Sequence, residues 1–180
     1  ADAFNNLSDA GASAISLLGF RLSGKKPDPD HPFGHGRIEY ISGLAVAALI
    51  IVMGVELLIS SVEKIVSPEP VEVGLLPAAI LLASILVKLY MFAYNSAVGK
   101  KISSSAMAAT GADSLSDSIA TAVVLLSMGI SCLFDVNIDG WAGSAVAVFI
   151  LFAGYGVAKD TLSPLLGQAP DPELVQSIES

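Results

Sequence analysis

Residues 40–61 read YISGLAVAALIIVMGVELLISS, and one charged residue, Glu56, interrupts the run. The run lacks the period-two alternation of a half-buried strand. It is long enough to cross the hydrocarbon of a bilayer, which takes roughly 20 mainly apolar residues. Backbone groups at that depth must be satisfied within the protein, so a spanning segment is a helix or part of a closed barrel. A long apolar run without alternation selects the helix. Four more such runs lie at residues 1–22, 75–98, 106–134 and 141–162. The expected fold is therefore all-α, a polytopic transmembrane bundle of five spans.

The segments between the runs carry helix breakers. Pro27, Pro29 and Pro32 follow the first, Pro68 and Pro70 the second, Gly99 closes the third, and Gly140 precedes the fifth. Composition agrees with a membrane protein: 53% of residues are hydrophobic and 14% charged. The net charge of −8 excludes the basic stripe of a nucleic-acid partner. A single cysteine, Cys132, excludes an internal disulfide and a cysteine-rich zinc site. No cleavable signal peptide is evident. Because the chain begins inside a helical pattern and ends in a polar segment, it is expected to be a piece of a longer protein. Arg21, Lys25, Lys26, Arg37, Lys100, Lys101 and Lys159 all fall on one side of a five-span zigzag. The positive-inside rule makes that side cytoplasmic, with residues 23–39, 99–105 and the C-terminus. The expected location is the plasma membrane.

Two near-copies of one pentapeptide interrupt the first and fourth runs. Residues 5–9 are Asn5, Asn6, Leu7, Ser8 and Asp9; residues 113–117 are Asp113, Ser114, Leu115, Ser116 and Asp117. Each places two oxygen-bearing side chains at i and i+4, on one helix face. The alternative role, interhelical packing, accounts for Ser8, Ser13, Ser116 and Thr121 but poorly for the aspartates. A carboxylate at the bilayer centre costs about 2.5–3.5 kcal/mol on insertion scales and usually faces a bundle interior or a water-filled path. Asn5, Asp9, Asp113 and Asp117 together offer an oxygen set for one cation. Asp2 lies on the same side of the first helix, as an outer approach residue or an end-of-helix charge.

A second constellation lies in the first loop. Asp28, His31 and His35 supply mixed oxygen and nitrogen ligands suited to a transition metal; the alternative is a loop whose histidines brace the next helix. Glu39 is placed to favour the start of that helix. Glu56 and Lys88 are the remaining ionisable residues deep in spans, either relay elements or members of cross-helix pairs.

The string HPFGHGRIE at residues 31–39, after an Asn-xxx-Asp helix and before an Asp-xxx-Asp helix, resembles the cation diffusion facilitator family. The resemblance covers essentially the whole chain. It implies that the five spans are helices two to six of a six-helix domain over residues 1–164, with residues 165–180 a linker into a cytoplasmic domain. It further implies a homodimeric exporter that exchanges a divalent cation for protons, the ion being cargo and no resident cofactor being needed. The family's central site falls on Asn5, Asp9, Asp113 and Asp117. Zinc members carry aspartate where Asn5 stands and histidine where Asp113 stands, so this set points to the manganese-carrying members, with Zn2+ or Fe2+ behind Mn2+. The loop site of zinc members falls on Asp28, His31 and His35. Arg37 matches the basic half of a family salt bridge whose acidic half would fall near Gly167.

Two other classes compete with the exporter. A Mg2+-dependent intramembrane prenyltransferase also uses two aspartate-rich helices, but it needs cations to meet phosphate charge. The nearest here is Arg21, well past Asp9. A non-transporting sensor or scaffold is the third class. The expectation is a transporter, not an enzyme.

Overall fold

A computed structural model of the chain describes residues 2–68, 74–134 and 138–167, with side chains from Ala10 onward. It contains α1 (Asp2–Ser23), α2 (Arg37–Val66), α3 (Leu75–Ile102), α4 (Ser105–Phe134) and α5 (Asp139–Leu166), and no strand among the described residues. Four of these, α2 to α5, are long and apolar enough to cross a membrane. α1 is the helix diluted by Asn5, Asn6, Ser8 and Asp9. The helices outrun the apolar windows that announce them. α2 starts at Arg37 and α5 continues through Pro164 to Leu166. Hydrogen bonding, unlike hydropathy, does not stop at the edge of the hydrocarbon, so polar residues extend each helix.

Short connections fix an up-and-down order. Between α3 and α4 the chain turns in two residues: Ser103 adopts a left-handed φ of 53°, and the Ser104 N–H donates to Gly99 O at 2.9 Å. One end of the bundle gathers the start of α2, the start of α4 and the end of α5, where Gly43 lies against Thr161 and Ala106. At the other end Lys64 of α2 meets Asp139 of α5 at 2.5 Å. The basic residues Arg21, Arg37, Lys100 and Lys101 all sit at the first end.

Among the described residues the backbone of α4 comes close to those of all four other helices, while that of α3 comes close to α4 alone. The core is narrow. Ala12, Val46, Ile50, Ala109, Val146 and Ile150 form its buried cluster. α2 and α5 approach closely at glycines: a Cβ at Gly54 would lie 3.0 Å from Leu151 Cδ2, and one at Gly154 2.9 Å from Ile51 Cγ1. Small residues at the contact are how helices gain dispersion where lipid removes the hydrophobic drive. Large apolar side chains point away from the bundle, among them Leu82, Leu86 and Val87 of α3 and Phe149 and Phe152 of α5. So much outward apolar surface suits lipid, not water.

Candidate metal site

α4 buries more polar residues than any other described helix and satisfies most of them within itself. The hydroxyls of Thr110, Ser114, Ser116 and Ser118 donate to the carbonyls of Ala106, Thr110, Ala112 and Ser114, four residues back, at 2.9–3.1 Å. Serine and threonine can back-bond in this way because their reach matches the preceding turn. Ser116 is therefore held by its own helix and is not interhelical glue; the cross-helix hydroxyl bond runs instead from Ser16 of α1 to Thr110 at 2.5 Å. Carboxylates have no such outlet, since an ionised carboxylate accepts only. Asp113 and Asp117 are nevertheless 5% and 8% exposed.

Both aspartates line a cavity of about 300 Å³. Its other polar lining is Glu56 and Ser60 of α2 and Ser116 and Thr121 of α4. It runs from the aspartates along the later half of α2 and past Leu81 near the start of α3, toward the end that carries Lys64 and Asp139. Asp117 is also engaged across helices: Lys88 Nζ of α3 donates to its Oδ2 at 2.6 Å. Lys88 is thus one half of a cross-helix pair, and Glu56 is an exposed wall of the same cavity. An ionisable residue near mid-span was the sequence signal for both. Helix register, which decides what each one faces, was not.

The side chains of Asn5 and Asp9, like that of Asp2, lie outside the described residues. Their helix can still be placed by register. α1 packs against α4 and runs antiparallel to it, and the Ser16–Thr110 bond ties the two. Seven residues before Ser16 is Asp9; seven after Thr110 is Asp117. Each step climbs about 10 Å at about 1.5 Å per residue, so Asp9 and Asp117 stand at one level of the bundle. Asn5 stands at the level of Thr121.

The loop constellation is assembled. One ligand atom from each of Asp28, His31 and His35 can be chosen so that all lie within 4.8 Å of one another. His31 Nδ1 is 3.2 Å from Asp28 Oδ1, and His35 Nε2 is 3.5 Å from Asp28 Oδ2. The backbone N–H of His31 donates to Asp28 Oδ1 at 2.7 Å. That bond, more than the nearby imidazoles, holds the Asp28 carboxyl below its ordinary value. His35 also carries a buried Nδ1 with no hydrogen-bond partner among the described residues. Glu39 sits in the first turn of α2, where the helix dipole favours it. Its Oε1 is buried, with no hydrogen-bond partner among the described residues. Gly167 offers no carboxylate to Arg37. Of the linker expected at residues 165–180, 168–180 lies outside the described residues.

Comparison with known proteins adds an independent line. The family model for the cation efflux transmembrane domain matches residues 1–166. An uncharacterized transporter of Methanocaldococcus jannaschii is 29% identical across 99% of the chain and 63% of its own length. The manganese efflux system protein MneS of Bacillus subtilis is 29% identical across 89% of the chain and 56% of its own length. Metal tolerance protein C1 of Arabidopsis thaliana is 27% identical across 99% of the chain and 41% of its own length. The chain thus spans less than two thirds of the length of these curated relatives. Members of the matched family are transporters, which removes the prenyltransferase-like alternative.

Proposed function

The chain belongs to the cation efflux family, and from that premise we propose that it exports a divalent metal cation, Mn2+ first, across the plasma membrane in exchange for protons. The observation that carries the reading is a pair of buried carboxylates, Asp113 and Asp117, on the wall of a mid-bundle cavity. The level shared by Asp9 and Asp117 supports a set drawn from both helices; we take that set to be Asn5, Asp9, Asp113 and Asp117, with Asn5 one turn beyond Asp9. Carboxylate and carbonyl oxygens suit manganese. Zinc prefers four-coordinate sites rich in nitrogen or sulfur. Raw affinity still rises from Mn2+ to Zn2+, so the oxygen set selects by geometry and ligand type.

Transport then follows from alternating access. The cavity leads from the aspartates toward the end opposite the basic residues. With those residues cytoplasmic by the positive-inside rule, the cavity lies in the outer half of the bundle. Rocking of α1 and α4 against the other helices would expose the set to the cytoplasm in turn. Clustered carboxylates raise one another's pKa, and a bound divalent cation reverses this, so metal and protons compete for the same oxygens. Asp28, His31 and His35 form a second, cytoplasmic site, and the working unit is a homodimer. Residues 1–164 are the membrane domain, and 165–180 leads into a further cytoplasmic domain.

The test is transport by the full-length protein in proteoliposomes, with Mn2+ flux and internal pH followed together. Mn2+ flux should drive an opposite proton flux, and Asp113→Asn and Asp117→Asn should each abolish both. Mn2+ flux that persists in those variants removes the assignment.

A further inference from the structure

Lys88 is the basic residue nearest the middle of any described helix, roughly equidistant from the two ends of α3. Its side chain is 17% exposed, and its ammonium lies 2.6 Å from Asp117 Oδ2. A cation at that distance occupies a lone-pair direction that a metal ion bound to Asp117 would need. It arrives on α3, whose backbone among the described residues comes close to that of α4 alone.

We propose that Lys88 is a tethered competitor of the transported cation. It holds Asp117 when the metal is gone, and the incoming ion must displace it. The inference rests on the reading of Asp117 as a ligand of the cargo. Its consequence is an affinity kept deliberately weak. Apparent affinity falls by the fraction of molecules whose site is competent. A pair formed about nine-tenths of the time weakens binding about tenfold. In return the departing ion is replaced at once by a charge already in place, which speeds release. Lys88 touches a ligand and not the reacting ion, so it is a positioning residue. Its signature is a split between half-saturation and maximal rate.

The experiment uses the full-length protein in nanodiscs, with His31→Ala and His35→Ala so that the loop does not contribute. Mn2+ binding is measured by equilibrium dialysis, and transport in proteoliposomes. Lys88→Met should bind Mn2+ about tenfold tighter. Its half-saturating Mn2+ concentration and its maximal transport rate should both fall. Lys88→Arg, which keeps the charge, should stay close to the parent. Lys88→Gln serves where the methionine variant does not fold, with the same direction expected. Asp117→Asn should abolish binding whichever residue stands at 88. Binding by the neutral variants that is no tighter than the parent's, with Asp117→Asn still null, overturns the competitor role and leaves the site intact. Binding that survives Asp117→Asn overturns the site and the competitor together.

Discussion

The Lys88–Asp117 pair makes a prediction about stability that can be read without any transport assay. The two side chains are 17% and 10% exposed, and they meet at 2.6 Å near the middle of the bundle. Lys88 and Asp117 each have a further interaction, so removing one leaves the other's charge only partly compensated, at a cost of up to about 3–5 kcal/mol. Replacing both with neutral residues of similar volume is often close to neutral. For a chain of this size each kcal/mol moves the melting temperature by about 2–4 °C. Asp117→Asn and Lys88→Met should therefore each lower it by roughly 6–12 °C, taking the low end of the cost. The double variant should recover most of that loss. The assay is thermal unfolding of the full-length protein in detergent or nanodiscs, followed by circular dichroism in the presence of a chelator. Single variants that melt within about 2 °C of the parent would show the pair to be energetically idle. A double variant that melts at the sum of the two losses would show that the residues act independently.

Other outcomes follow from the remaining geometry. Asp113→His places a nitrogen in the central set and should shift the transported ion from Mn2+ toward Zn2+, measured at matched free concentrations of both metals. Loss of His31 and His35 together should lower bound metal by one ion per chain while leaving part of the Mn2+ flux, which metal analysis beside transport assays would reveal. The depressed Asp28 carboxyl gives its turn a stabilisation that is present above the ordinary carboxylate range and lost as pH falls through the lowered value. Protection of the His31 amide, its exchange relative to the intrinsic rate at each pH, should fall in acid accordingly, and Asp28→Asn should remove that dependence. Gly54→Val sets its Cβ about where Leu151 Cδ2 allows 3.0 Å and adds more carbon beyond it. The overpacking should cost about 1–3 kcal/mol and lower the melting temperature without altering metal preference.

The helices were legible because apolar length and breaker residues are local properties. Residues 40–61 alone exclude a strand, and Pro27 to Pro32 end α1 wherever the rest of the chain goes. Helix ends were less legible: Arg37 and Leu166 are helical through backbone bonding that a hydropathy window does not register. The Asp113–Asp117 face was readable from spacing, since i and i+4 must share a side. What shares the cavity was not. Glu56 is seventeen residues past Glu39 on the same helix, and only the packing of α2 on α4 brings it to the wall beside Asp117. Lys88 was visible as a charge needing a partner, but four acidic residues, Asp9, Glu56, Asp113 and Asp117, were available to it in the sequence. The back-bonding of Ser116 was not legible, because a sequence does not say whether a serine turns toward a neighbour or back on its own helix. Asp28, His31 and His35 lie together because they are close in the chain, and a Pro- and Gly-rich turn leaves them few ways apart.

The central claim, that Asp113 and Asp117 hold the transported cation with Asp9 and Asn5, is most directly tested by anomalous diffraction at the manganese edge. Crystals of the full-length protein would be grown with Mn2+, and the anomalous difference map examined between α1 and α4. The account predicts a peak at the level shared by Asp9 and Asp117, within ligand distance of both aspartates of α4 and with Lys88 swung away from Asp117. A peak at Asp28, His31 and His35 alone, with the Lys88–Asp117 pair still closed at saturating Mn2+, would contradict it.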